Sequence, residues 1–163
     1  MTGSVRLDSV DVAILRELQN DGRLANKALA ERVGVAPSTC LDRVSRLRST
    51  GVITGFGTSV SPAGVGRSVE AFLAVQMRVH TRRGFDPFVA HVRGLPETVS
   101  LHFVTGPDDF IVRVACAGSS DLQRLVLDEF TSRREVARVQ THLIFTSWAG
   151  GPLLPPPDQG TRG

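Results

Sequence analysis

The sequence predicts an α+β fold in two parts, a helical N-terminal unit followed by a C-terminal βαββαβ unit, and three observations carry that prediction. Residues 21–55, DGRLANKALAERVGVAPSTCLDRVSRLRSTGVITG, read as two short helices joined by a glycine turn, then a β-turn. From residue 69 onward the apolar period switches from 3.6 to two and then alternates between the two values. Between these halves, Ser61-Pro62-Ala63-Gly64-Val65-Gly66 is a turn-rich boundary.

Each element has its own local reason. Asp8 to Gln19 forms the first helix, with Asp8 as N-cap and Ile14, Leu15 and Leu18 facing inward. The second carries Leu29, Ala30 and Val33, and Gly34 supplies the turn after it. The third opens on Pro37, where a missing N–H costs nothing. Its apolar residues Cys40, Val44 and Leu47 fall at i, i+4 and i+7, one buried stripe. Gly51 to Val60 is expected to form a short hairpin or wing and a connecting strand.

In the second half, Val69, Ala71, Leu73, Val75, Met77 and Val79 alternate as a strand with one buried face. Phe85, Phe88, Val89 and Val92 lie at helical spacing, behind an opening at Asp86-Pro87. Val99, Leu101 and Phe103 alternate again, as do Phe110, Val112, Val114 and Cys116 after the Gly106-Pro107-Asp108 turn. Ser120 with Gln123 predicts a capping-box start for a helix carrying Leu122, Leu125, Val126 and Phe130. Val139, Thr141, Leu143 and Phe145 complete the last strand. The order βαββαβ is the ferredoxin-like arrangement. Ala149 to Gly163 holds Pro152 and Pro155-Pro156-Pro157 and is expected to be a disordered or loosely draped tail.

Composition narrows the function. At 163 residues, 41% hydrophobic and 21% charged, the chain can bury a real core. No run approaches the ~20 apolar residues of a membrane helix, and Met1-Thr2-Gly3-Ser4 does not open a signal peptide. Cys40 and Cys116 sit in separate elements, as buried thiols in a reducing compartment would. These features predict a cytoplasmic protein without a membrane partner. The net charge of +3 decides little, since residues 1–60 hold eight basic against six acidic side chains. Placement decides more: three arginines fall between residues 43 and 48.

The third helix leaves Ser38, Thr39, Asp42, Arg43 and Arg46 on faces that point away from its apolar stripe. A helix on a helix-turn-helix frame, with small polar groups at its start and arginines further along, suits a DNA major groove. The competing reading is an ordinary all-α core with a solvated basic face. The glycine turn, the proline start and the following Gly51-Val52-Ile53 favour DNA.

These stretches resemble the leucine-responsive regulatory protein/AsnC (Lrp/AsnC) family of transcription factors. The matching residues are Leu7-Asp8, Asp11, Ile14-Leu15, Leu18, Asp21-Gly22-Arg23, Leu29-Ala30, Val33-Gly34, Arg43-Val44, Arg46-Leu47, Gly51-Val52-Ile53 and Gly55-Phe56, continuing through Gly66 to Thr141. The resemblance implies a winged helix-turn-helix DNA-binding domain over residues 1–60, a linker over 61–67, and an effector-binding and oligomerisation domain over 68–148. It implies a transcriptional regulator modulated by a small effector, an amino acid, and acting as a homodimer that can build tetramers or octamers. Two recognition helices would then meet double-stranded DNA at a pseudo-palindromic site, with half-sites about one helical turn apart.

Site residues follow from the same reading. Pro37, Ser38, Thr39, Asp42, Arg43 and Arg46 are the DNA-binding candidates, with Ser38 and Thr39 for base edges and Arg43 and Arg46 for phosphate or guanine. Arg43 has an alternative role, pairing inside the domain with Asp11 or Glu17. His102, Gly106, Asp108, Asp109 and Thr141 are the effector candidates. An amino-acid ammonium wants an anion such as Asp109, and its carboxylate wants backbone N–H groups that Gly106 leaves approachable. Turn chemistry alone would also select Gly106-Pro107-Asp108. The chain departs from the family pattern at Ala25, Ala28 and Ala36, where capping residues usually stand, and at Asp108, Glu135 and Val139, which leaves the effector's identity open.

Enzymatic signals are sparse. The sequence has no Walker loop, no G-x-S-x-G and no C-x-x-C, so no catalytic residue and no cofactor is expected. His80, His91, His102 and His142 have no cysteine or carboxylate at ligand spacing, so no metal is expected either. The enzymatic alternative is a haem-pathway decarboxylase, since some proteins on the same two-domain plan have that activity. The intact Pro37-Ser38-Thr39 and Arg43…Arg46 disfavour it.

Overall fold

The computed structural model describes residues 5–78 and 82–156. Val79 and His80 lie outside them. The chain divides into two compact units, one running to Thr58 and including the segment from Ala149, the other Ser59–Trp148.

The first unit holds α1 (Ser9–Asn20), α2 (Asn26–Val33) and α3 (Pro37–Ser49). Its core is Ile14, Leu15, Leu29, Ala30, Cys40 and Leu47, the residues the 3.6 period selects. Asp8 caps α1 reciprocally: its Oδ1 accepts from the Asp11 N–H at 2.9 Å, and Asp11 Oδ2 accepts from the Asp8 N–H at 3.1 Å. By contrast α2 and α3 start at Ala25 and Ala36 with no side-chain cap. Asn26 does not cap α2 either; its Nδ2 donates to the Pro37 carbonyl at 2.8 Å. Gly34 closes α2 at φ 73°, a conformation in which a Cβ would be strained.

One expectation is corrected here. No strand forms over residues 51–60; the chain turns at Gly51 and runs on irregularly. Gly55 and Gly57 interrupt the β pattern, while Val52 and Ile53 pack on the helical core. The Ile53 N–H donates back to Leu47 O at 2.9 Å instead of to a ladder. The tail is irregular and largely exposed over residues 149–156, and touches the helical unit at Leu153 and Leu154. Leu153 exchanges two hydrogen bonds with the Gln19 amide, at 2.8 and 3.0 Å, and Leu154 packs on the same apolar cluster. Residues 157–163 lie outside the described residues.

The second unit contains β1 (Val69–Met77), α4 (Arg82–Gly94), β2 (Thr98–Phe103), β3 (Phe110–Cys116), α5 (Ser119–Leu125) and β4 (Val136–Leu143). The sheet is antiparallel in the order β2-β3-β1-β4, the ferredoxin-like layout. Its packed face carries Ala71, Leu73, Val75, Met77, Phe110, Val112, Val114 and Cys116. Phe88 and Phe130 cover it from the helical layer, ring centroids 6.1 Å apart, and full burial of each is worth about 2–3 kcal/mol.

Other departures are local. Helix α4 begins at Arg82, so Pro87 lies inside it and not at its start. The loss of one backbone hydrogen bond there is offset by burial of Phe88 and Val92. Helix α5 is capped two residues early, at Gly118, and Ser120 caps nothing. It continues as a π-helical turn, Val126–Thr131, and that wider turn puts Leu125 and Phe130, five apart, into the same core. In β2 the register shifts between Thr98 and Ser100, turning Val99 outward. Strand β4 is an edge strand ending at Leu143, so Phe145 extends past it into solvent and Val136 is buried in its place.

Candidate nucleic-acid interface and effector loop

Helix α3 has an inner and an outer side. Cys40 and Leu47 are buried and Val44 packs beside them. Pro37, Ser38, Thr39, Leu41, Asp42, Ser45, Arg48 and Ser49 are exposed. Ser38, Asp42, Ser45 and Ser49, spaced four, three and four apart, form the stripe most distant from the buried one.

Arg43 and Arg46 are not on that stripe; both turn toward α1. Arg43 Nη1 donates to Asp8 Oδ2 at 2.6 Å and to Asp11 Oδ1 at 2.9 Å. Arg46 Nη2 donates to Asp11 Oδ2 at 2.6 Å. Asp11 is 1% exposed and is the one buried charged side chain among the described residues. Burial pushes its carboxyl pKa up, but hydrogen bonds from Arg46, the Asp8 N–H and Arg43 outweigh that and hold it below the ordinary carboxylate value. The Arg43 hydrogen bond, with the Asp11 N–H, lowers Asp8 as well. Arg43 is therefore engaged inside the unit by Asp11, one of the two acids the sequence offers for it. Glu17, the other, bonds Arg32 at 2.9 Å.

The arginines differ in how much they retain for a ligand. Arg43's side chain is 27% exposed with two acids on it, whereas Arg46's is 41% exposed with one. A guanidinium has five N–H donors, so Arg46 keeps most of its capacity. The sequence reading left out Arg48, which is exposed beyond the stripe with its Cζ 6.0 Å from the Phe56 ring centroid. It flanks the Cys40–Val44–Leu47 stripe in the last turn of α3, where the cluster of three arginines between residues 43 and 48 was the sequence signal for it.

The β2–β3 loop brings Gly106, Asp108 and Asp109 together. Gly106 has φ 131°, which favours glycine, and lies exposed at the tip. Asp109 ties the loop to β1: its N–H donates to Val75 O at 2.9 Å, and its Oδ2 accepts from the Met77 N–H at 2.7 Å. That bond falls where the β1–β4 register shifts, between Gln76 and Met77. The remaining two candidates stand apart. His102 pairs with Ile111 on the sheet face away from the helices, its Nε2 3.0 Å from Ser100 Oγ. Thr141 pairs with Leu73 on the helix-covered side. They occupy opposite edge strands, about 14 Å apart at the usual strand spacing.

Comparisons with known proteins fit both regions. A family model described as the AsnC-type helix-turn-helix domain matches residues 7–48, and the Lrp/AsnC ligand binding domain matches residues 70–152. The chain is 42% identical over 148 residues to the HTH-type transcriptional regulator AldR of Mycolicibacterium smegmatis, covering 91% of this chain and 86% of that protein. It is 34% identical over 143 residues to the leucine-responsive regulatory protein of Rhizobium meliloti, covering 88% and 92%. The crystal structure of a transcriptional regulator–L-Met complex from Neisseria meningitidis superposes with a TM-score of 0.85 at 31% identity, covering 92% of this chain and 97% of that one.

Proposed function

The chain belongs to the Lrp/AsnC family of transcriptional regulators, and from that premise we propose that it binds pseudo-palindromic DNA as a dimer through α3 and responds to an amino acid held near the β2–β3 loop. The observation that carries the DNA half is the division of α3 into two sides. Asp8 and Asp11 fix the inner arginines to α1, while Ser38, Thr39 and Asp42 stay exposed for base edges. Arg46 and Arg48 supply phosphate contacts, which set register without reading sequence.

The effector half rests on the loop's chemistry. Backbone N–H groups beside Gly106 suit the carboxylate of an amino acid, and Asp108 and Asp109 suit its ammonium. Thr141 and His102, on opposite edge strands of one sheet, would reach one ligand only from neighbouring protomers, in keeping with the proposed dimer. The protein acts in the cytoplasm, with the DNA it regulates.

A gel-shift titration with and without each amino acid, paired with a thermal-shift screen, tests this reading. An effector at 100 times its Kd adds about 2.7 kcal/mol to the fold that binds it. The same compound is expected to alter the DNA shift. An amino acid that stabilises the protein without changing DNA binding defeats the regulatory link.

A further inference from the structure

Asp42 is the one charged residue on the outermost stripe of α3. It is exposed, and among the described residues no hydrogen bond or ion pair engages it. Its natural helical partner is Arg46, four residues on. Arg46 instead bonds Asp11 at 2.6 Å, and Arg43, the neighbouring cation, bonds Asp8 and Asp11. The structure thus leaves an unpaired carboxylate on the side of the helix proposed to enter the groove; it lines one surface hollow with Thr39 and Arg6, and with Arg43 and Arg46, whose bonds go to Asp8 and Asp11.

A bare carboxylate is a poor element for general DNA affinity, because it faces phosphates of its own sign. Its use lies in discrimination. In the major groove guanine presents two acceptors, and thymine an acceptor and a methyl. Adenine presents a donor beside an acceptor, and cytosine a lone amino donor. An acceptor-only side chain therefore fits cytosine N4 and is repelled by guanine N7 and O6. We propose that Asp42 is a specificity residue that accepts from the amino group of a cytosine at one fixed position in each half-site. This rests on the DNA-binding reading of α3 above.

The test is selection from a random duplex library by the full chain and by D42A and D42N, followed by affinities on single-base variants of the selected site. The wild type is expected to enrich cytosine at one position of each half-site. Replacing that cytosine is expected to weaken its binding roughly 5- to 150-fold. D42A is expected to lose the preference at that position alone while binding random DNA at least as tightly. D42N is expected to move the preference toward adenine, whose N6 and N7 fit a carboxamide. Asp42 is exposed, so both variants are expected to melt with the wild type. If D42A or D42N keeps the same cytosine preference, the inference is overturned while the DNA-binding reading stands. If the wild type enriches no sequence at all, both fall.

Discussion

The α1–α3 junction and the β2–β3 loop both use, for their own fold, a charged group that the sequence marks for a ligand. At the junction, Arg43 and Arg46 hold Asp8 and Asp11. In the loop, the Asp109 carboxylate holds the Met77 N–H. The difference is geometric. A helix has several faces, so α3 can anchor itself on one and present Ser38, Thr39 and Asp42 on another. A six-residue loop has no second face, and on the proposed reading Asp109 would serve strand and ligand with the same carboxylate. Under the proposed function, mutation is therefore expected to separate function from stability on α3 and to change both together in the loop.

The largest expected effect is at the junction. Asp11→Ala removes a buried carboxylate that three donors share and the N3 member of the α1 capping box. It is expected to destabilise the first unit by about 3 kcal/mol, read as a lower denaturant midpoint. Ser38→Ala, on the outer face, is expected to leave that midpoint in place. A comparable loss in Ser38→Ala would show that the two faces are not separable.

The same junction predicts acid sensitivity. Asp8 and Asp11 both titrate below the ordinary value of 3.8 in the folded protein. Their contribution is fully present above about pH 4 and is lost as pH falls through the lower, folded values. Melting temperature followed from pH 5 downward is expected to fall more steeply in the wild type than in Asp11→Asn. Parallel curves would remove the carboxylate from the account.

In the loop, Asp109→Ala leaves the Met77 N–H without its acceptor, which costs about 1–2 kcal/mol. Asp109→Asn keeps a carbonyl oxygen in place and is expected to recover most of that stability. It loses the charge an ammonium needs, so the thermal shift with an amino acid is expected to disappear in both variants. If Asp109→Asn still responds at wild-type ligand concentrations, the loop is a strand-holding turn only.

What was legible in the sequence follows the same division between pattern and geometry. Five alternating apolar residues from Val69 to Met77 define β1, and no other arrangement buries them together. The stripe Cys40–Val44–Leu47 likewise fixes which way α3 faces. The bulge that turns Val99 outward and the π-helical turn before Thr131 depend on how neighbouring elements pack, which no local period records. The sequence offers Asp11 and Glu17 equally to Arg43; the way α1 meets α3 decides for Asp11 and adds Arg46. In the tail, prolines and glycines hide a Leu153-Leu154 pair that finds α1.

The smallest predicted effect sharpens the comparison at the start of α2. Helix α1 has a reciprocal cap at Asp8, while Ala25 leaves the first-turn amides of an eight-residue helix to solvent. Its backbone is already in the extended conformation an N-cap adopts, φ −63° and ψ 144°. A serine hydroxyl there reaches the N–H of Lys27 or Ala28 without moving the chain. Asn26, the first residue of α2, makes no cap bond, and its Nδ2 is turned to the Pro37 carbonyl. Ala25→Ser is therefore expected to raise the stability of the first unit by about 1 kcal/mol, measured as a shift in denaturant midpoint at unchanged slope. Because the site is remote from the outer stripe of α3, DNA affinity and sequence preference are expected to stay as they are. An unchanged midpoint would mean that water already satisfies these amides as well as a hydroxyl does. The junction at Asp8 and Asp11 would then owe its strength to the arginines rather than to the cap.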